Sequence, residues 1–222
     1  MPSHIVEDYL KRIFLEQEKL EADSPVSMGA VAESMGVTPG TATAMIQNLA
    51  EEGLVEYRKR NGSRLTQRGE EEALLIVRRH RLIEVFLQKS LGLDWAEVHE
   101  EADRLEHAVS EKVLERLEDF LGFPTVDPHG DPIPNAVGGL DRRRRLRLTE
   151  APQKTRLRII RVLDQSPAFL RFAESRGLQP EKVVIIIEDG AISGAVSVKS
   201  EGGEVSAIGL DAARNILVEP TD

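Results

Sequence analysis

With 222 residues, 41% of them hydrophobic, the chain can form one large domain or two to three small ones, each with its own core. Cysteine is absent, which excludes disulfides, thiolate zinc sites and a cysteine nucleophile, so any metal must be held by oxygen and nitrogen. A formal net charge of −9 excludes a protein that coats nucleic acid nonspecifically, so DNA binding would have to use a local basic patch.

The opening MPSHIVEDYLKRIF lacks the charged-then-apolar order of a signal peptide, and no apolar run approaches the roughly 20 residues of a membrane span. A soluble, cytoplasmic chain without membrane contact is expected. Ile5, Tyr9, Ile13 and Leu20, widened by Leu10 and Phe14, predict a first amphipathic helix over residues 5 to 20. Ser27 predicts the N-cap of a short second helix through Ala30, Val31 and Met35 that stops at Gly36. Thr38 caps a third, with Pro39 at its first position, running through Met45, Ile46 and Leu49 to Gly53. Leu54, Val55 and Tyr57, then Asn61-Gly62, then Arg64, Leu65 and Thr66 read as two short strands around a tight Asn-Gly turn.

Three amphipathic segments follow, over residues 69 to 91, 94 to 109 and 110 to 121. Four prolines and recurrent glycine in FPTVDPHGDPIPNAVGG predict a linker from residue 123 to about 150. It includes the basic run of Arg142, Arg143, Arg144, Arg145 and Arg147, read first as solvated and only second as a phosphate contact. The β-branched stretches RLRIIRVL, VVIIIEDG, AISGAVSVKS and ARNILVEP, with one helix near residues 168 to 176, predict a small β-barrel-like domain over 151 to 222. The fold class is mainly α with a small β domain. Its parts are a winged helix-turn-helix at 1 to 68, a helical domain at 69 to 122, the linker and the β domain.

In a helix-turn-helix the second helix enters the major groove, which makes Thr38, Pro39, Thr41, Thr43 and Gln47 the candidates for contact with DNA. Glutamine can bond adenine bidentately, and threonine offers a hydroxyl and a methyl. Arg58, Lys59, Arg60 and Arg64, on the hairpin, would lie along the phosphate backbone.

His80 and Glu84, four residues apart, project from one face of a helix, and His99, Asp103 and His107 repeat that step on the next, flanked by Glu106. Three of the five histidines thus join carboxylates on adjacent helices, whereas His4 and His129 are read as lacking such company. Imidazole with carboxylate suits Mn, Fe(II), Co, Ni or Zn. A metalloenzyme is the rival reading, but neither the paired Glu-x-x-His of a di-iron bundle nor His-Glu-x-x-His occurs. A metal-independent winged-helix dimer is the third.

The strings EDYLKRIF, VTPGTATAMIQNLAEEGLV, LTQRGEEEA, RHRLIEVFL, VHEEADRLEHAVS and DPHGDPIP together resemble the diphtheria toxin repressor (DtxR/MntR) family over nearly the whole chain. The resemblance implies a metal-dependent regulator that represses metal-uptake genes as a homodimer on a palindromic double-stranded operator, with a C-terminal SH3-like (FeoA-like) domain. It implies one metal site at His80, Glu84 and His99 and another at Asp8, Asp103, Glu106 and His107. Iron-sensing members commonly carry Met and Cys where this chain has Asp8 and Asp103. The expected ion is therefore Mn2+, with Fe2+ as the alternative and Zn2+, Co2+, Ni2+ or Cd2+ as ions able to bind in vitro. Lys11 departs from the pattern, standing where manganese-type members often have another carboxylate. Asp164, Gln165 and Glu174 are the candidates for ligands from the C-terminal domain.

Overall fold

The computed structural model describes residues 3–20, 24–141, 143, 145–190, 192–201 and 203–221. The chain divides into two compact units, one formed by residues 1–80 with 134–139 and the other by 81–133 with 140–222.

In the first unit α1 (His4–Gln17) is capped by Ser3 and buries Tyr9, Leu10, Ile13 and Phe14 along one stripe. α2 (Met28–Ser34) begins at Ser27, whose Oγ accepts from the Ala30 amide at 3.1 Å, and Gly36 ends the turn at φ 64°. α3 (Pro39–Glu51) starts at Thr38 with Pro39 in its first turn and buries Ala42, Ile46 and Leu49. α2 and α3 follow the expected pattern; α1 ends at Gln17 rather than at residue 20, and Ile5 and Leu20, read as part of its apolar stripe, are exposed.

β1 (Val55–Arg58) and β2 (Gly62–Leu65) pair antiparallel. The turn between them differs from the tight Asn-Gly turn read from sequence. Arg58 pairs with Gly62, so Lys59, Arg60 and Asn61 all lie in the loop, with Arg60 left-handed at φ 70° and Gly62 also at positive φ, 112°. Gly62 serves the sheet instead. Ser63 exchanges backbone hydrogen bonds with Val26 at 2.8 and 2.9 Å, and a Cβ on Gly62 would run into the Val26 carbonyl. The Leu65 amide donates to Gln17 Oε1 at 3.0 Å, tying the hairpin to the end of α1.

α4 (Gln67–Leu91) is 25 residues long, about 37 Å at 1.5 Å per residue. Its later part opens the second unit, where Ile83 and Leu87 pack with Val98 and Ala102 of α5 (Val98–Leu105) and Leu117 of α6 (Glu111–Leu121). α5 is shorter than the segment expected at 94 to 109. Residues 123–133 form a loop closed by a bridge between Val126 and Pro132, buried at Asp127 and at 129–131 and exposed at Phe123 and Val126.

A six-stranded antiparallel sheet follows, with strands β3 (Leu146–Arg147), β4 (Arg156–Val162), β5 (Val183–Glu188), β6 (Ala195–Ser200), β7 (Val205–Gly209) and β8 (Ile216–Pro220). Their order is β3-β8-β4-β5-β6-β7. α7 (Pro167–Glu174) and the short α8 (Leu210–Ala213) join the connections. Alternate residues such as Leu157, Ile159, Val184, Ile186, Val196 and Val198 fill one core, which also takes in Trp95 and Ala96 from the helical part of the unit. The basic run is partnered by acids: Arg143 pairs with Asp141 at 2.6 Å and Arg145 with Glu219 at 2.8 Å, while Arg142 and Arg144 lie outside the described residues. The same contact holds the exposed Asp141 carboxyl below the usual carboxylate range, chiefly through its hydrogen bonds from Arg143.

Candidate metal centre and nucleic-acid interface

On the candidate recognition helix Thr38, Pro39, Thr41 and Gln47 are exposed, and Thr43 is half-buried. Thr38 Oγ1 accepts from the Thr41 amide at 3.2 Å and lies 2.9 Å from Thr41 Oγ1, so both hydroxyls take part in the helix cap. Thr43 Oγ1 donates to the Pro39 carbonyl at 2.7 Å, which commits its proton and leaves its methyl and a lone pair for a partner. Gln47 is the longest polar side chain of the set. On the hairpin Arg58, Lys59 and Arg60 are exposed, whereas Arg64 is half-buried and stands opposite Glu56 in the ladder.

In the first unit α1 carries the half-buried Asp8 between two buried charged residues, Glu7 and Lys11. Glu7 lies 3.9 Å from Arg79, and Lys11 Nζ lies 3.4 Å from His80 Nδ1. An ammonium can only donate, so Nδ1 of His80 is the acceptor in that contact. Lys11 is therefore set against an imidazole expected to hold metal.

In the second unit Glu84 is 1% exposed, and its Oε1 accepts a proton from His99 Nδ1 at 3.1 Å. With Nδ1 donating, Nε2 becomes the lone-pair nitrogen of a neutral His99 ring, and it faces Asp103 Oδ2 at 3.9 Å. A ring steered by a carboxylate on one nitrogen and left basic on the other suits a metal ligand. Glu106 is fully buried with Oε1 3.6 Å from His107 Nε2. A buried carboxylate beside an imidazole, without sulfur, fits a divalent ion of intermediate hardness.

The loop at 127–131 is where sequence reasoning fell short. His129, read as lacking company, is fully buried with Glu84 and Asp127, and one potential ligand atom from each lies within 4.8 Å of the others. Asp127 Oδ1 accepts from the amides of His129 at 2.8 Å and Asp131 at 2.9 Å, which folds the loop around one carboxylate. The Val162 amide donates to the His129 carbonyl at 2.8 Å. Gly130, at φ 87°, sits so close to the Ile160 carbonyl that a Cβ would collide with it. Burial, then the charges of Asp131 and Glu84, hold the Asp127 carboxyl well above its usual range, against the lowering effect of Arg81. Asp131 pairs with Arg161 and accepts from Gln165 Nε2.

Of the three C-terminal candidates, Gln165 thus reaches this loop. Asp164 Oδ1 accepts from the Ser166 amide at 2.9 Å at the start of α7, and Glu174 accepts from Gln179 at 3.0 Å. The signal available in the sequence was the Asp-x-His-x-Asp spacing within DPHGDP, masked by the prolines and glycine around it.

Residues 2–63 match the family model for the N-terminal DNA binding domain of the iron dependent repressor. Residues 66–135 match that for its metal binding and dimerisation domain, and 146–220 that for the FeoA domain. The chain is 30% identical to the diphtheria toxin repressor of Corynebacterium efficiens over 97% of this chain and 95% of that protein. It is 40% identical to an uncharacterized HTH-type transcriptional regulator of Methanocaldococcus jannaschii, over 54% of this chain and 94% of that one. A solved structure described as a manganese-dependent transcriptional repressor in complex with manganese superposes with a TM-score of 0.87 at 37% identity, covering 97% of this chain and 100% of that one. The Corynebacterium relative and the solved structure are transcriptional repressors, which removes the metalloenzyme reading, and among the described residues no helix is long and apolar enough to cross a membrane. The chain belongs to the diphtheria toxin repressor family of metal-dependent, DNA-binding transcriptional repressors, and it combines a winged helix-turn-helix, a helical metal-binding and dimerisation domain and an SH3-like FeoA domain.

Proposed function

We propose that the chain is a manganese-responsive repressor of metal-transport genes, acting in the cytoplasm as a homodimer on a palindromic operator. The observation that carries the manganese reading is the donor set: Asp8 and Asp103 put carboxylate where a sulfur ligand would favour a softer ion, and the chain has no cysteine at all. The manganese complex named for the similar solved structure supports it, and the iron dependent repressor match keeps Fe2+ as the alternative. His80, Glu84 and His99 would hold one ion, and Asp8, Asp103, Glu106 and His107 the other. Each ion would supply positive charge that neutralises and gathers these side chains.

Residues 1–68 read DNA in this proposal, 69–122 bind metal and dimerise, 123–150 connect, and 151–222 form the C-terminal module. Thr38, Pro39, Thr41, Thr43 and Gln47 meet the major groove, while Arg58, Lys59, Arg60 and Arg64 meet phosphate. Arg60 supports the second role in an unusual way. A non-glycine residue at φ 70° is strained by about 1 to 2 kcal/mol, and here the strained position is occupied by an exposed guanidinium rather than by glycine. For the dimer, Leu91, Val113, Phe120 and Phe123 leave apolar side chains exposed in the helical region, with Phe120 at 71%. Operator binding measured by fluorescence anisotropy in chelator, Mn2+, Fe2+ and Zn2+ tests the reading. Activation by Mn2+ at concentrations where anaerobic Fe2+ is ineffective supports it, and the reverse order would transfer the assignment to iron.

A further inference from the structure

β2 turns two of its amides away from β1. Val55 and Leu65 stand opposite each other in the ladder, as do Tyr57 and Ser63, yet the Ser63 amide donates to the Val26 carbonyl at 2.9 Å and the Leu65 amide to Gln17 Oε1 at 3.0 Å. These are the outward-facing positions of an antiparallel pair, where a strand edge is otherwise left unpaired. Ser63 is answered by backbone, in an exchange that also brings the Val26 amide to the Ser63 carbonyl at 2.8 Å. Leu65 is answered by a side chain, that of the last residue of α1.

Gln17 continues the stripe of Leu10, Ile13 and Phe14, none of which is more than 3% exposed, so the hairpin is met by a helix whose inner face is packed along its length. Such a helix shifts as a body. Asp8 lies nine residues before Gln17, about 14 Å along the axis and two and a half turns round, so the two side chains leave opposite faces of one rigid element. From Leu65 the strand runs about 10 Å to Gly62, which stands opposite Arg58, and the loop between them carries Lys59 and Arg60. The residue assigned to metal and the residues assigned to phosphate are thus joined through Gln17, all within the first unit.

We infer that Gln17 is a positioning residue for DNA binding: its carboxamide oxygen sets the wing on α1, so that a displacement of α1 reaches Arg58, Lys59 and Arg60. The inference rests on the proposed function in taking Asp8 as a metal ligand and the wing as a phosphate contact. Leu65 is 5% exposed, and its amide would be left without an acceptor if α1 moved and the hairpin stayed, so the hairpin follows the helix.

Gln17→Leu removes the acceptor at nearly constant size, whereas Gln17→Glu keeps an acceptor oxygen. The readout is the ratio of operator affinity in saturating Mn2+ to that in chelator, measured by anisotropy on the full chain, because the charge added by glutamate cancels in a ratio. Gln17→Leu is expected to lose about fivefold or more of that ratio, and Gln17→Glu to keep it. In an Asp8→Ala background the Gln17→Leu change should cost nothing further, since both residues act along one path. Hydrogen exchange followed by mass spectrometry gives a readout without DNA. The peptide over residues 55–65 should exchange faster in Gln17→Leu than in the unaltered chain or Gln17→Glu, and Mn2+ should slow it only in the latter two. An undiminished ratio in Gln17→Leu, or an equal loss in Gln17→Glu, would overturn the inference. Operator binding by the unaltered chain that ignored metal would end the manganese reading instead; exchange over 55–65 that was then alike in all three chains would overturn the tie between α1 and the wing, and faster exchange in Gln17→Leu alone would uphold it.

Discussion

Lys11 Nζ lies 3.4 Å from Nδ1 of His80, both side chains being buried, so a positive group occupies the approach to an imidazole assigned to metal. At that spacing a dication meets a like charge in a poorly screened place, and binding through Nδ1 also requires the ammonium to withdraw. Lys11→Met keeps the buried stem and removes the charge. The variant should bind Mn2+ at the His80 site about tenfold or more tightly in calorimetric titration, with its fold intact by circular dichroism. Unchanged or weaker affinity would show that the ammonium does not compete with metal.

The strained turn gives a prediction with opposite signs in two assays. Arg60→Gly relieves the left-handed backbone and should raise stability by about 1 kcal/mol in urea unfolding. The same change removes one phosphate contact and should lower affinity for operator and random duplex alike, reducing the salt slope by about one unit. If stability rose with DNA binding and its salt dependence unaffected, the wing would not touch phosphate.

Gln47 and Thr43 separate base readout from capping. Gln47 is exposed, whereas Thr43 spends its hydroxyl proton on the Pro39 carbonyl. Gln47→Ala should therefore cost roughly 1 to 3 kcal/mol of operator affinity and relax preference at one base position, with random-duplex affinity unchanged. Thr43→Val, which keeps the methyl, should do much less. Site selection that returns one consensus for the unaltered chain and Gln47→Ala would remove Gln47 from the readout.

The parts of the fold that were legible in the sequence are those set by local chemistry. Ser27 and Thr38 cap the helices that follow them, and the 3.6-residue stripes bury Tyr9, Leu10, Ile13, Phe14, Val31, Ile46 and Leu49, while Ile5 and Leu20 at the ends of the first stripe stay exposed. The wing turn was misread because Asn61-Gly62 is a strong hairpin signal, yet Gly62 is needed for the approach of Val26, a contact that only the folded chain reveals. β3 has two residues, too few for an alternation to stand out. His129 was missed for the same kind of reason. Its partner Glu84 is far away in sequence, and its immediate neighbours are loop-forming residues whose burial comes from packing against β4. The candidate ligands at helical spacing were visible; the one supplied by an irregular segment was not.

The most direct test of the account is a Mn2+ titration of operator binding by the unaltered chain and by Asp8→Ala. Asp8 is the ligand assigned from the DNA-reading part of the chain, so a cation shared with Asp103, Glu106 and His107 would couple metal occupancy to DNA affinity through its preference for the binding-competent state. The unaltered chain should gain about tenfold or more in operator affinity on saturation with Mn2+ and lose that gain in chelator. Asp8→Ala should remain dimeric and still take up metal at His80, Glu84 and His99, yet show little of the gain. Full Mn2+-dependent activation of Asp8→Ala, or equal operator binding by the unaltered chain in chelator and in Mn2+, would contradict it.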